Sequence, residues 1–212
     1  MLFTILHDNG KPLCFVGNNS MNKSIYLFFK DYKNSIIVSY EDLFIKDRDW
    51  YSKYQFIAIT SVVAKKIEIV EHLKAVGAHF FSVIYEHSPI LPGTHIGHGT
   101  YIGVYNSINV NDIFIGDHVL IGVHNTLGHN WTINDFCHIG HYSFLNCCNI
   151  GKGSALGVRI DIMSKFGAEI LNIAEYSNIM SHSLVTESLL ESGTYYKNRK
   201  ISNQTSLTER ML

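Results

Sequence analysis

Aliphatic residues recur at every sixth position through the second half of this 212-residue sequence, and few folds accept that period. Ile96, Ile102 and Ile108 open the series, which resumes after one extra residue at Ile115, Ile121, Leu127, Ile133, Ile139 and Leu145. One residue is then lost before Ile150, Leu156 and Ile162, and a looser stretch precedes Ile173, Ile179 and Val185. The position after the aliphatic residue is Gly at 97, 103, 116, 122, 128, 140, 151 and 157. A helix needs a spacing of about 3.6, and a β-sandwich needs turn clusters roughly every eight to twelve residues. A period of six specifies a β-solenoid, in which each hexapeptide is one short strand and a corner. The aliphatic side chain points inward and the small residue lets the backbone turn. Short parallel strands are therefore predicted from Ile90 to Val185, with a bulged corner near Asn111–Phe114 and a tightened one near Cys147–Asn149.

Ahead of Ser88-Pro89 the pattern is different. Lys11 to Gly17 is an apolar run ending in Gly, as a buried parallel strand ends. A helix over Ser24–Tyr32, strands over Ser35–Ser39 and Phe56–Ile59, and a fourth strand over Phe80–Tyr85 complete an alternating order. Between the last two, Val63, Ile67, Val70 and Leu73 recur at helical spacing up to Gly77, a helix C-cap. Alternation of this kind implies a small α/β domain with a parallel sheet. The predicted division is an α/β domain over 1–87, a solenoid over 88–196 and a loosely held polar tail over 197–212.

Composition narrows the function. Hydrophobic residues are 46% and charged residues 17% of the chain, a globular balance. With 17 basic and 18 acidic residues no field exists to hold a phosphate backbone, so nucleic-acid binding is not expected. No apolar run reaches the ~20 residues that span a bilayer, and residues 1–8 lack a secretory signal pattern; a cytoplasmic protein is expected. Cys14, Cys137, Cys147 and Cys148 form no metal or CxxC spacing and read as reduced structural thiols. The twelve Tyr and twelve Phe are scattered, as packing residues are, and form no base-stacking platform.

The segment Leu127-Gly-His-Asn-Trp-Thr-Ile-Asn-Asp-Phe-Cys-His-Ile-Gly140 resembles the catalytic coil of the sialic-acid O-acetyltransferase-like sugar acyltransferases of bacterial surface-glycan (lipopolysaccharide) biosynthesis. These are hexapeptide-repeat enzymes, and the resemblance covers nearly the whole chain. It implies a mainly β fold, a small Rossmann-like α/β domain followed by a left-handed parallel β-helix. The left hand comes from the resemblance alone, since crossovers are normally right-handed. It also implies acetyl-CoA as co-substrate, a nucleotide-linked sugar as acceptor, a homotrimer with active sites between subunits, and no metal. His129 falls on the family's catalytic base and Asn130 on the residue that orients it. His138, Gly157, Val158 and Ser181 fall on or near positions that contact acetyl-CoA. Gly17, Asn18 and Asn19 fall on the loop that holds the nucleotide sugar.

Two departures carry chemistry. The family commonly has an acid directly after the catalytic His, where this chain has Asn130; a carboxylate would raise imidazole basicity more than an amide does. Asp112 or Asp117 could substitute for it. In Val16-Gly-Asn-Asn-Ser-Met-Asn-Lys-Ser24, only Gly17 remains of a Gly-rich phosphate loop. The reaction itself needs a base and an oxyanion donor. Imidazole, with an unperturbed pKa of ~6.5, can take the nucleophile's proton near neutral pH. A backbone N–H or His138 would stabilise the oxyanion.

Two other readings compete. His124 and His129, five apart, resemble zinc ligands of gamma-class carbonic anhydrases, which share this β-helix; a third ligand would be required, and His87, His95 and His98 are out of register. The other is a non-catalytic solenoid scaffold.

Overall fold

A computed structural model describes residues 3–17, 19–108, 113–165 and 169–207. Its α/β part consists of β1 (Phe3–Leu6), β2 (Leu13–Val16), α1 (Ser20–Phe29), β3 (Ile36–Val38), α2 (Tyr40–Phe44), α3 (Arg48–Ser52), β4 (Gln55–Ala58), α4 (Val63–Ala75), β5 (His79–Phe80) and β6 (Ser82–Tyr85). Strands β3, β2, β4 and β5 form a parallel sheet in that order. The helix starts are local chemistry. Asn19, Ser39 and Asp47 each accept a backbone N–H of the first turn of α1, α2 and α3. The Asn19 cap starts α1 four residues before the expected Ser24. Helix α4 ends as expected at Gly77, whose φ is +75°. The Gly77 N–H donates to the Lys74 carbonyl and the Ala78 N–H to the Leu73 carbonyl, both at 3.0 Å, a Schellman closure.

The run Phe80–Tyr85 does not form one strand. Its first residues extend the α/β sheet as β5, whereas β6 crosses into the solenoid and pairs with Tyr101–Ile102. Phe80, Phe81, Val83 and Ile84 are all buried, so neither face of the run is marked as outer. Strand β1 joins the same solenoid sheet, antiparallel to β6, with Leu6 opposite Ser82.

The solenoid is a three-sided parallel coil. One face stacks Ile102, Ile121, Ile139, Leu156 and Ile179. A second stacks Ile108, Leu127, Leu145, Ile162 and Val185, and a third Ile96, Ile115, Ile133, Ile150 and Ile173. All fifteen lie in one core, none more than 7% exposed. The residue lost before Ile150 is taken up at Cys147, whose φ is +49°. Residues 111 and 112 of the other expected irregularity lie outside the described residues.

Glycine after the aliphatic position allows coils to touch. A Cβ on Gly140 would run into the Gly157 carbonyl of the next coil, which is backbone and cannot swing away. Gly140→Ala should therefore lower unfolding free energy by about 1–3 kcal/mol, read as a shifted urea midpoint at constant m.

The α/β part lies on the first face. Phe136 and Ala155 of the solenoid pack with Val63 and Phe80, and Leu120 packs with Ile25 and Phe29. The expectation of a loose tail is corrected for residues 199–206; residues 208–212 lie outside the described residues. Arg199–Ser202 turns back to pair antiparallel with Thr194–Tyr196, and buried Ser206 donates from its N–H to the Tyr176 carbonyl at 2.9 Å. Backbone pairing holds this segment, which its polar side chains did not signal.

Candidate active site

A cavity of about 220 Å³ opens between the first solenoid face and the start of α4. Its solenoid wall carries His138, Gly157, Val158 and Ser181, so the four residues matched to acetyl-CoA contacts share one space. The geometry follows from the period. His138 heads the strand His138–Ile139, and its neighbour in the next coil is Ala155. Gly157 follows that coil's strand, Ala155–Leu156, and a Cβ there would lie 2.5 Å from Ser181 Oγ. The bare glycine lets Ser181 come close, and Ser181 Oγ accepts the Val158 N–H at 2.9 Å. The Ser181 hydroxyl hydrogen is left to donate elsewhere. Val62, Val63, Ala155 and Leu156 supply apolar wall and Asn178 a further polar group, a mixture that fits a thioester-bearing chain with a few polar groups.

Three segments add residues that were not foreseen. Ser61, Val62 and Val63 enter from the α4 start, Ser206 from the tail, and His141 from the corner after Gly140. His141 Nδ1 accepts the Val123 N–H at 2.9 Å, so Nε2 carries the proton of the neutral ring. His141 was legible as a histidine three residues beyond His138; nothing in the sequence marks Ser206.

His129 is elsewhere. It is exposed, on the corner between the second and third faces, and does not line the cavity. Its backbone is pinned: the N–H donates to Asn146 Oδ1 at 2.8 Å and the carbonyl accepts from Cys147 at 2.7 Å. Asn130 has φ +49°, a left-handed corner that Asn tolerates better than most residues, so its amide type has a backbone reason. Asp117 does not share that corner. Its Oδ1 accepts the His98 N–H at 2.7 Å, on the corner between the third and first faces. Asp112 lies outside the described residues.

The loop that the resemblance matches to the nucleotide sugar is occupied by its own bonds. The Gly17 N–H donates to the Val38 carbonyl at 2.8 Å, and Asn19 Oδ1 accepts from both the N–H and Nδ2 of Asn22. Asn22, fully buried, covers the bare face of Gly17, whose φ is +137°, and donates to the Ile59 carbonyl at 2.7 Å. Asn18 lies outside the described residues.

The zinc pairing does not form. His124 is stacked between Tyr105 and Tyr142, with ring centroids 4.9 and 5.0 Å away. Among the described residues no group of three His, Cys, Asp or Glu side chains could hold a metal ion. The four cysteines are buried, and burial pushes the Cys137 and Cys148 thiols up to about 12. No helix among the described residues is long and apolar enough to cross a membrane.

No protein-family model matches the chain, and no curated protein sequence matches it. Solved structures do. A variant of perosamine N-acetyltransferase from Caulobacter crescentus, crystallised with CoA and GDP-perosamine, superposes at TM-score 0.78 with 14% identity, covering 94% of this chain and 98% of that one. WeeI from Acinetobacter baumannii gives TM-score 0.75 at 15% identity, over 91% of this chain and 99% of that chain. The acetyltransferase domain of PglB from Neisseria gonorrhoeae, solved also with acetyl coenzyme A, gives TM-score 0.70 at 14% identity, over 91% of this chain and 98% of that chain. The chain thus shares, over nearly its whole length, the fold of structures that include sugar N-acetyltransferases.

Proposed function

We propose that this protein is an acetyl-CoA-dependent acyltransferase that acetylates an amino group, or a hydroxyl, of a nucleotide-linked sugar used in surface polysaccharide synthesis. The observation that carries the reading is the cavity uniting His138, Gly157, Val158 and Ser181, in a fold shared with structures crystallised with CoA and GDP-perosamine. The cavity holds the acyl donor, which supplies an activated thioester; Ser181 and His138 contact it. His129 accepts the proton of the attacking amine or hydroxyl. Backbone N–H groups or His138 receive the developing oxyanion. The β-helix is left-handed and residues 1–87 hold the acceptor, whose nucleotide is held other than by a glycine-rich phosphate loop.

The corner of His129 lies across the triangular coil from the cavity face. One chain therefore does not unite base and donor, and a homotrimer in the cytoplasm does so by setting one subunit's His129 against the next subunit's cavity. Free-thiol release from acetyl-CoA over a panel of nucleotide-activated amino sugars tests the reading, alongside thermal melts with CoA. Turnover on an amino sugar is expected, as is a native state stabilised by ~2.7 kcal/mol at about a hundredfold excess of CoA over its Kd. No thiol release and no CoA shift would leave the solenoid scaffold in its place.

A further inference from the structure

We propose that Lys66 is a positioning residue for the acyl-donor cavity, tying the first turn of α4 to the solenoid coils that form the opposite wall. The proposal rests on the acyl-transfer reading above. Lys66 is fully buried where α4 meets the first face. Its Nζ donates to the His118 carbonyl at 3.0 Å and reaches the Cys137 carbonyl at 3.5 Å. Cys137 directly precedes His138 in the cavity wall, and the Lys66 backbone N–H donates to the Val62 carbonyl at 3.0 Å. One residue thus bridges both walls: Val62 through its main chain, the His138 coil through its ammonium.

The first turn of α4 needs such a tie. Val62 is its N-cap and gives no side-chain cap bond, unlike the caps of the other three helices. An uncapped turn frays readily unless tertiary contacts hold it. The His118 corner has φ +57° and is buried, so its carbonyl requires a partner from the α/β side.

A lysine is a costly way to make this tie. No carboxylate among the described residues pairs with it, and a buried unpaired cation destabilises the native state. Burial lowers its pKa to about 8, with Cys137 raising it slightly. His118 and Cys137, whose carbonyls take the ammonium, carry no negative charge near neutral pH. Burial, reinforced by Lys74, Lys66 and His98, holds His118 neutral down to about pH 3, and the Cys137 thiol stays protonated to about 12, chiefly through burial, with Asp135 also raising it. An apolar residue of similar length would fill this place with less penalty. A lysine here therefore points to the bond rather than to stability.

The test compares wild type with Lys66→Met, and with Lys66→Gln should the first not fold. Three readings are taken: CoA affinity by calorimetry, hydrogen exchange of the α4 first turn, and unfolding between pH 7 and 10. The expected result separates stability from binding. At pH 7 the variant melts no lower than wild type, yet CoA Kd rises about tenfold and the α4 first turn loses exchange protection. The pH profile identifies the group. Above about pH 8 native Lys66 sheds its proton while the unfolded chain keeps it to ~10.4, so wild-type stability rises with pH relative to the variant. That difference should approach a hundredfold in the unfolding constant over two pH units. Unchanged CoA affinity and exchange in the variant would overturn the positioning role. Absence of CoA binding by wild type would overturn the acyl-transfer reading, and the positioning role with it.

Discussion

His129→Ala is expected to lower kcat by about 10²–10⁴-fold while leaving the fold intact. The side chain is exposed, and the hydrogen bonds at this corner use its backbone, which alanine keeps. Far-UV circular dichroism and melting temperature should match wild type, so lost thiol release would belong to chemistry. His138→Ala stands in the cavity and should act first on donor affinity. Mixing the two variants tests the shared site. Heterotrimers should regain activity at those interfaces where a native His129 meets a native His138. Confirmed mixed trimers with no recovery would rule out a site built from two subunits.

The second large effect is on stability. Ile133 lies fully buried in the solenoid, stacked between Ile115 and Ile150. Ile133→Asp places a carboxylate where the flanking coils offer aliphatic side chains, at a cost of several kcal/mol. A domain's whole stability is only about 5–15 kcal/mol, so the variant should be insoluble or melt far below wild type. A melting curve unchanged from wild type would refute the inward register of the entire third face.

The solenoid was legible because one constraint repeats. Every inward position faces the same narrow interior, so each coil restates the preference for Ile or Leu and one irregular corner cannot hide it. Gly77 was legible because a left-handed C-cap is decided within two residues. Lys66 was not: its neighbours Lys65 and Glu68 are a surface pair, and only docking against residues some fifty positions away makes it buried. The division of Phe80–Tyr85 between two sheets likewise depends on partners absent from the local sequence. For the candidate site, His138, Gly157, Val158 and Ser181 were reached through the family resemblance, the last two across irregular spacing, and the fold brings all four to one cavity, whereas Ser206 arrives through backbone pairing that no side chain announces. Gly17 and Asn19 were legible as a loop but not as one whose groups bond each other.

The pairing of Leu6 with Ser82 has a consequence for the whole architecture. Because β1 and β6 are adjacent strands of the solenoid sheet, everything between them is, in covalent terms, a greatly enlarged hairpin loop. The α/β unit is therefore a graft with two stems rooted side by side. A module on a single linker can swivel about it; a module on two neighbouring stems resists twisting, because rotation would shear the strand pair beneath it. The cavity roof contributed by α4 is thus carried on a platform braced at both stems.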